Sequence, residues 1–83
     1  MDQIARTSKQ MGAIIHRRRR ELQLTQKVLG AKIKHRQATI SKLEAGEPGI
    51  RLGTLLDVVS ALNLELVVRP RTKGTPEDIE GLF

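Results

Sequence analysis

The chain has no cysteine, no tryptophan and no tyrosine, and its single phenylalanine is the last of 83 residues. Without thiols there is no disulfide, no thiolate metal site and no cysteine nucleophile. Without aromatics there is no platform for stacking the bases of single-stranded nucleic acid, and the core has to be built from Leu, Ile, Val and Ala. No apolar run approaches the ~18 residues of a membrane span, and the N-terminus carries charge but no apolar signal core. Paired histidines and a phosphate-cradling glycine loop are missing. The only carboxylate cluster, Glu77, Asp78 and Glu80, lies in a polar tail and reads as solvated. The sequence therefore assigns no catalytic residue, no metal ligand and no cofactor, and an enzyme is the poorest reading of it. Acidic residues are scarce: 9 against 15 basic ones, for a net charge of +6. That balance favours an anionic partner, either nucleic acid or an acidic membrane surface, and says nothing about sequence specificity.

What is present is one domain's length of helical pattern. Residues 1–6 (MDQIAR) form an N-terminal arm without pattern. Thr7 with Gln10 matches a capping box, in which hydroxyl and amide satisfy free backbone N–H groups. A first helix then runs to about Leu22, with Met11, Ile14, Ile15, Arg18 and Leu22 on one face. Arg17 to Arg20 is a run of four arginines. A helix points four successive side chains in different directions, so they cannot all meet one phosphate backbone. At least two of them read as solvated helix surface.

Thr25 caps a second helix, Gln26 to Ile33, with Val28, Leu29 and Ile33 as its apolar positions. A third covers Gln37 to Ala45, with Ala38, Ile40 and Leu43 apolar or small. Gly46 suits a left-handed helix end, and Pro48-Gly49 marks a loop. A fourth helix spans about Leu52 to Leu62 on a stripe of Leu52, Leu55, Leu56, Val59 and Leu62, and Asn63 can close it. Leu64 to Arg69 (LELVVR) changes to period two, which suits a strand, and Pro70 ends it. Nothing else in the chain reads as a strand. Either Leu64, Leu66, Val67 and Val68 pair with the same strand of a second copy about a two-fold axis, or the segment lies extended on the helices. Residues 71–83 are expected to be a mobile tail. Its apolar Ile79, Leu82 and Phe83 are either a plain chain end or a segment that docks on a partner.

Two short helices with a tight turn between them form a helix-turn-helix, whose second helix enters the major groove. The outward residues of that helix would be Arg36, Gln37, Thr39, Ser41 and Lys42. Gln can bond adenine N6 and N7, Arg or Lys can reach guanine O6 and N7, and Ala38 with the Thr39 methyl can touch a thymine methyl. Gln26, at the start of the preceding helix, can reach a phosphate. Lys27, Lys34 and Lys42 are sequence-blind phosphate candidates.

Leu24, Thr25, Gln26, Leu29, Thr39, Ile40, Ser41, Leu43, Glu44 and Gly46 stand where the Cro/XRE-type helix-turn-helix family has its characteristic residues, and over residues 7–62 the chain resembles that family. The resemblance implies a fold of four to five helices that binds as a dimer; joined to the strand reading above, it gives a mainly α unit of residues 7–70 whose short C-terminal strand pairs across a homodimer. It implies binding of double-stranded operator DNA at an inverted repeat. It also implies that Arg19 pairs with Glu44, making both structural. Gly30 departs from the family's alanine, and Lys34-His35-Arg36 departs from its glycine, small apolar residue and capping hydroxyl. His35 fits a neutral, tucked side chain better than a metal or pH role.

The segment from Arg51 to Arg71 resembles more narrowly the end of HipB-type antitoxins. That implies strand-to-strand dimerisation, repression of its own operon, and binding of a HipA-type serine/threonine kinase toxin. The reading is then a cytoplasmic repressor-antitoxin, on the nucleoid when DNA-bound. The alternatives are a stand-alone or phage-type repressor without a toxin, and a basic membrane-surface or general interaction module.

Overall fold

The computed structural model describes residues 2–71. Four helices follow in order: α1 (Ser8–Glu21), α2 (Gln26–Ile33), α3 (Gln37–Glu44) and α4 (Leu52–Ala61). α3 packs against both α1 and α2, and α2 also packs on α4. Their shared core is Ile15, Leu29, Ile40, Leu43, Val58 and Leu62. It is wholly aliphatic, as a chain with one terminal aromatic requires.

The starts of α1 and α2 follow the hydroxyls. Thr7 accepts from the Gln10 N–H at 3.0 Å, and Thr25 accepts from the Val28 N–H at 3.1 Å. The Gln10 amide reaches one residue further back than a capping box requires and accepts from the Arg6 N–H. All four helices end in the same way, with one residue in the left-handed region: Gln23 (φ 58°), Lys34 (φ 59°), Gly46 (φ 86°) and Asn63 (φ 56°). Behind each, two backbone N–H groups fold back onto late carbonyls. At α3 these are Gly46 N–H to Leu43 O at 3.1 Å and Glu47 N–H to Lys42 O at 3.1 Å. This double bond pattern satisfies carbonyls that would otherwise have no intrahelical partner.

Two expected faces are rotated. In α1 the buried residues are Gly12, Ile15 and Arg19, and Leu22 is exposed. The cause is the close crossing of α1 and α3: a Cβ on Gly12 would lie 2.5 Å from the Leu43 carbonyl oxygen. In α4 the buried residues are Val58 and Val59; Val59 and, just past the helix end, Leu62 of the expected stripe are inside, while its Leu52 and Leu56 are exposed. Leu55, Val58 and Leu62 make an equally good helical stripe, and α2 covers that one. Val28 is likewise exposed.

Residues 64–71 are neither helix nor strand. The expected strand is therefore absent among the described residues, because the single chain offers the segment no ladder to join. Ile79, Leu82 and Phe83 lie outside the described residues, as does all of the expected tail beyond Arg71.

Candidate nucleic-acid interface

Everything about the outer face of α3 depends on how its far end is held. Glu44, its last residue, has a side chain only 4% exposed. Arg19 clamps it from α1 with two bonds, Nε to Oε2 at 2.7 Å and Nη2 to Oε1 at 3.0 Å. The same guanidinium donates from Nη1 to the Leu24 carbonyl at 2.7 Å, so it ties α1, α3 and the α1–α2 turn together. Two further donors converge on Glu44 Oε1: His16 Nδ1 at 2.7 Å and Gln26 Nε2 at 3.3 Å. A carboxylate oxygen only accepts, so in this contact His16 Nδ1 is the donor. Burial pushes the Glu44 carboxyl up; the hydrogen bonds from Arg19, His16 and Gln26 together outweigh it and leave the group below its ordinary value. No buried side-chain polar atom among the described residues lacks a partner, so the junction is a closed polar network and not a site awaiting a ligand.

The opposite end of α3 is open. Arg36 occupies the N-cap position and its side chain makes no capping bond. There is no acidic residue in the first turn of α3 or of α2. α2 is nevertheless capped by Thr25, so it is the α3 start that lacks both a side-chain cap and an acidic first turn, an arrangement that favours anions. Arg36, Gln37, Ala38, Ser41 and Lys42 are exposed, and Thr39 is half-buried. Ile40 and Leu43 face inward and are buried. Lys27, second in α2, and Lys34, at the end of α2, are also exposed.

Gln26 is the sequence-predicted residue whose position is most informative. It stands first in α2, half-buried, with its amide already directed to Glu44. One Nε2 hydrogen is thus committed, and one remains to donate elsewhere. The turn that departs from the family pattern closes on its own terms. Lys34 takes the left-handed position directly, and the His35 N–H donates to the Gly30 carbonyl at 2.9 Å. A Cβ on Gly30 would lie 2.7 Å from the His35 carbonyl oxygen, so the glycine and the unusual turn belong together. His35 is half-buried, with Nε2 3.1 Å from an Asp57 carboxylate oxygen on α4. Of the expected interface between copies, Leu64 is half-buried on the core, and Leu66, Val67 and Val68 are exposed.

Sequence reasoning passed over the His35–Asp57 contact and three others. Arg18 donates from Nε to the Leu62 carbonyl at 3.0 Å, holding the end of α4. His16 joins the Glu44 network, and Gln26 bridges to it. The signal for His16 was available: it lies three residues before Arg19 on a helix, which places both on one face.

The comparisons with known proteins agree with this geometry. A family profile described as helix-turn-helix matches residues 15–68. Among solved structures, a complex of a HipB variant with an O2 20-mer is similar with a TM-score of 0.81 and 25% identity, over 87% of this chain and 100% of that one. A HipB–O4 20-mer complex and a HipA–HipB–O2–O3 complex are each similar with a TM-score of 0.80 and 25% identity, over 86% of this chain and 100% of theirs. No curated protein sequence matches the chain.

Proposed function

The chain belongs to the helix-turn-helix family, and on that premise we propose that it is a dimeric, sequence-specific DNA-binding repressor that serves as the antitoxin of a toxin–antitoxin pair. The observation that carries this reading is the likeness, over 86–87% of this chain, to HipB in complexes with O-site 20-mers and with HipA. It coincides with an α3 that is anchored at one end and exposes polar side chains at the other. In this reading Gln37 reads adenine through its amide, and Arg36 and Lys42 reach guanine or phosphate. Ala38 and Thr39 touch thymine methyls, and Ser41 bonds a base edge or phosphate. Gln26, Lys27 and Lys34 hold the flanking phosphates, and the helix start at Gln26 adds its free N–H groups.

The homodimer forms through Leu64, Leu66, Val67 and Val68, so the operator is an inverted repeat with half-sites about 34–36 Å apart. The partner in the antitoxin role is a HipA-type serine/threonine kinase, with Ile79, Leu82 and Phe83 as the docking segment. The second reading, a repressor without a toxin, keeps every DNA contact and loses only that partner.

Two experiments test the reading in turn. Selection from a random duplex pool should enrich one inverted repeat; enrichment of no sequence would remove the specific repressor. Co-expression with the neighbouring gene should yield a stable complex with a kinase-like protein. Repeated failure of that copurification, with the inverted repeat still enriched, would leave the stand-alone repressor.

A further inference from the structure

Of the three turn residues that depart from the family pattern, His35 is the one without a proposed DNA contact. Its position gives it another part. α3 buries Ile40 and Leu43. Gln37 and Ala38 ahead of them are exposed, and Arg36 makes no side-chain cap. The open end of α3 is therefore placed by the turn that leads into it, and His35 fixes that turn at three points. Its N–H donates to the Gly30 carbonyl on α2 at 2.9 Å. Its own carbonyl oxygen lies against Gly30, where a Cβ would meet it at 2.7 Å. Its side chain, 26% exposed, reaches α4 and sets Nε2 3.1 Å from Asp57 Oδ2. The first two points hold the turn to α2, and only the third holds it to α4. Asp57 is a firm post: it precedes Val58, which is fully buried in the core, while its own side chain is 57% exposed.

We infer that His35 is a positioning residue for DNA reading: through Asp57 it ties the entrance of α3 to α4 and fixes the direction in which Arg36 and Gln37 leave the domain. The inference rests on the DNA-binding reading and deepens it. It gives α3 a brace at its open end, as Arg19 braces Glu44 at the other. The small apolar residue of the family pattern has no side-chain donor for such a bond.

The brace responds to the charge of the imidazole. A carboxylate oxygen only accepts, so the contact needs a hydrogen on Nε2. A neutral ring carries it in one of its two tautomers. An imidazolium carries it always, and its bond to a carboxylate is charge-assisted and stronger. Asp57 is the one charged residue of α4, and Lys34 and Arg36 flank His35 in the turn. The charged residues of α2, Lys27 and Lys32, are exposed. Those of α3 are Lys42, which is exposed, and Glu44, which is held by Arg19. Histidine changes charge between pH 5 and 8, so the hold on α3 tightens as pH falls through that range. The sequence suggested a neutral, tucked His35 without a pH role; the carboxylate beside its ring changes that.

Variants of the full chain, compared by fluorescence anisotropy on the inverted repeat enriched from a random pool and on a scrambled duplex, test this role. The readout is the ratio of the two affinities, because a charge acting on phosphate moves both duplexes alike. His35→Ala and Asp57→Ala should each lower the ratio about two- to fivefold, the range of a partly exposed pair, and together no more than either alone. His35→Gln, which keeps a donor, should restore most of the ratio. From pH 8 to pH 6 the ratio should rise for the natural chain, and His35→Gln and Asp57→Asn should lose most of that rise. The Asp57 side chain stands largely in water, so its variants should keep the helical circular dichroism even where His35→Ala does not. Additive losses would overturn the pair. An unmoved ratio in both alanine variants, with only the unfolding midpoints lowered, would make the contact merely structural. A ratio that stays flat with pH in the natural chain would overturn the charge dependence, and a rise that survives in Asp57→Asn would overturn the route through Asp57. A pool that enriches no repeat would overturn the DNA reading and this role together, whereas an enriched repeat with an unmoved ratio overturns the role alone.

Discussion

The two ends of α3 are built to opposite specifications. At the C-terminal end, Glu44 is buried and takes hydrogen bonds from three side chains, and Gly46 closes the helix with little backbone strain. At the N-terminal end, Arg36 caps nothing and the preceding left-handed position is filled by a lysine. The residues in between turn Ile40 and Leu43 to the core and leave Gln37, Ser41 and Lys42 exposed. A helix held firmly at one end and left uncapped and cationic at the other is positioned by its own domain but completed by an anionic partner. Stability and recognition are thus separated along eight residues.

The separation predicts that substitutions at the anchored end cost stability. Glu44→Ala strands a buried Arg19 and should destabilise the fold most, by about 3–5 kcal/mol, as breaking one side of a buried ion pair does. Chemical denaturation measures it; a loss within ~0.5 kcal/mol, the level of ordinary surface changes, would mean Glu44 anchors nothing. Gly12→Ala should follow, at about 1–3 kcal/mol, because its Cβ meets the α3 backbone, which cannot give way as a flexible side chain would.

Acid should act on the same end. The Glu44 carboxyl titrates below its ordinary value in the folded state. Its contribution is therefore fully present above the unfolded-state value of ~4.3 and is lost as pH falls through the lower folded value. Denaturation midpoints followed from neutral pH into that acid range should drop more steeply for the natural chain than for Glu44→Gln. Parallel profiles would count against the network.

The smallest expected change in stability has the opposite sign and lies at the open end. Lys34→Gly relieves a left-handed residue and should stabilise by about 0.5–1 kcal/mol after the glycine's own entropy cost. It also removes a phosphate candidate, so the salt dependence of DNA binding should become shallower by about one ion. Greater stability with an unchanged salt slope would remove Lys34 from the interface.

The anchored end was the more legible of the two in the sequence. Thr25, Glu44 and Gly46 occupy positions whose chemistry is local or tied to a family pattern, and the Arg19–Glu44 pair implied by the resemblance is present with short, bidentate geometry. The rotated faces of α1 and α4 were not legible. Periodicity cannot choose between overlapping stripes such as Leu52–Leu56 and Leu55–Val58–Leu62; only the neighbouring helix does. The close crossing at Gly12 depends on a backbone 31 or 32 residues away, at Leu43 and Glu44. The turn at Lys34-His35-Arg36 departed from the pattern and still closed, because a left-handed lysine and a glycine at position 30 together supply what the usual glycine supplies alone. The segment 64–69 showed its period plainly, but a period names no partner, and pairing is a property of two strands.

The central claim, that the open end of α3 reads DNA, is tested most directly by Gln37→Ala. Its affinity, by fluorescence anisotropy, is compared with that of the natural chain on the inverted repeat enriched from a random pool and on a scrambled duplex of equal length and salt. The account predicts a loss of about 1–3 kcal/mol, some 5- to 150-fold, on the inverted repeat and little change on the scrambled duplex. An equal loss on both duplexes, or none on either, would contradict it.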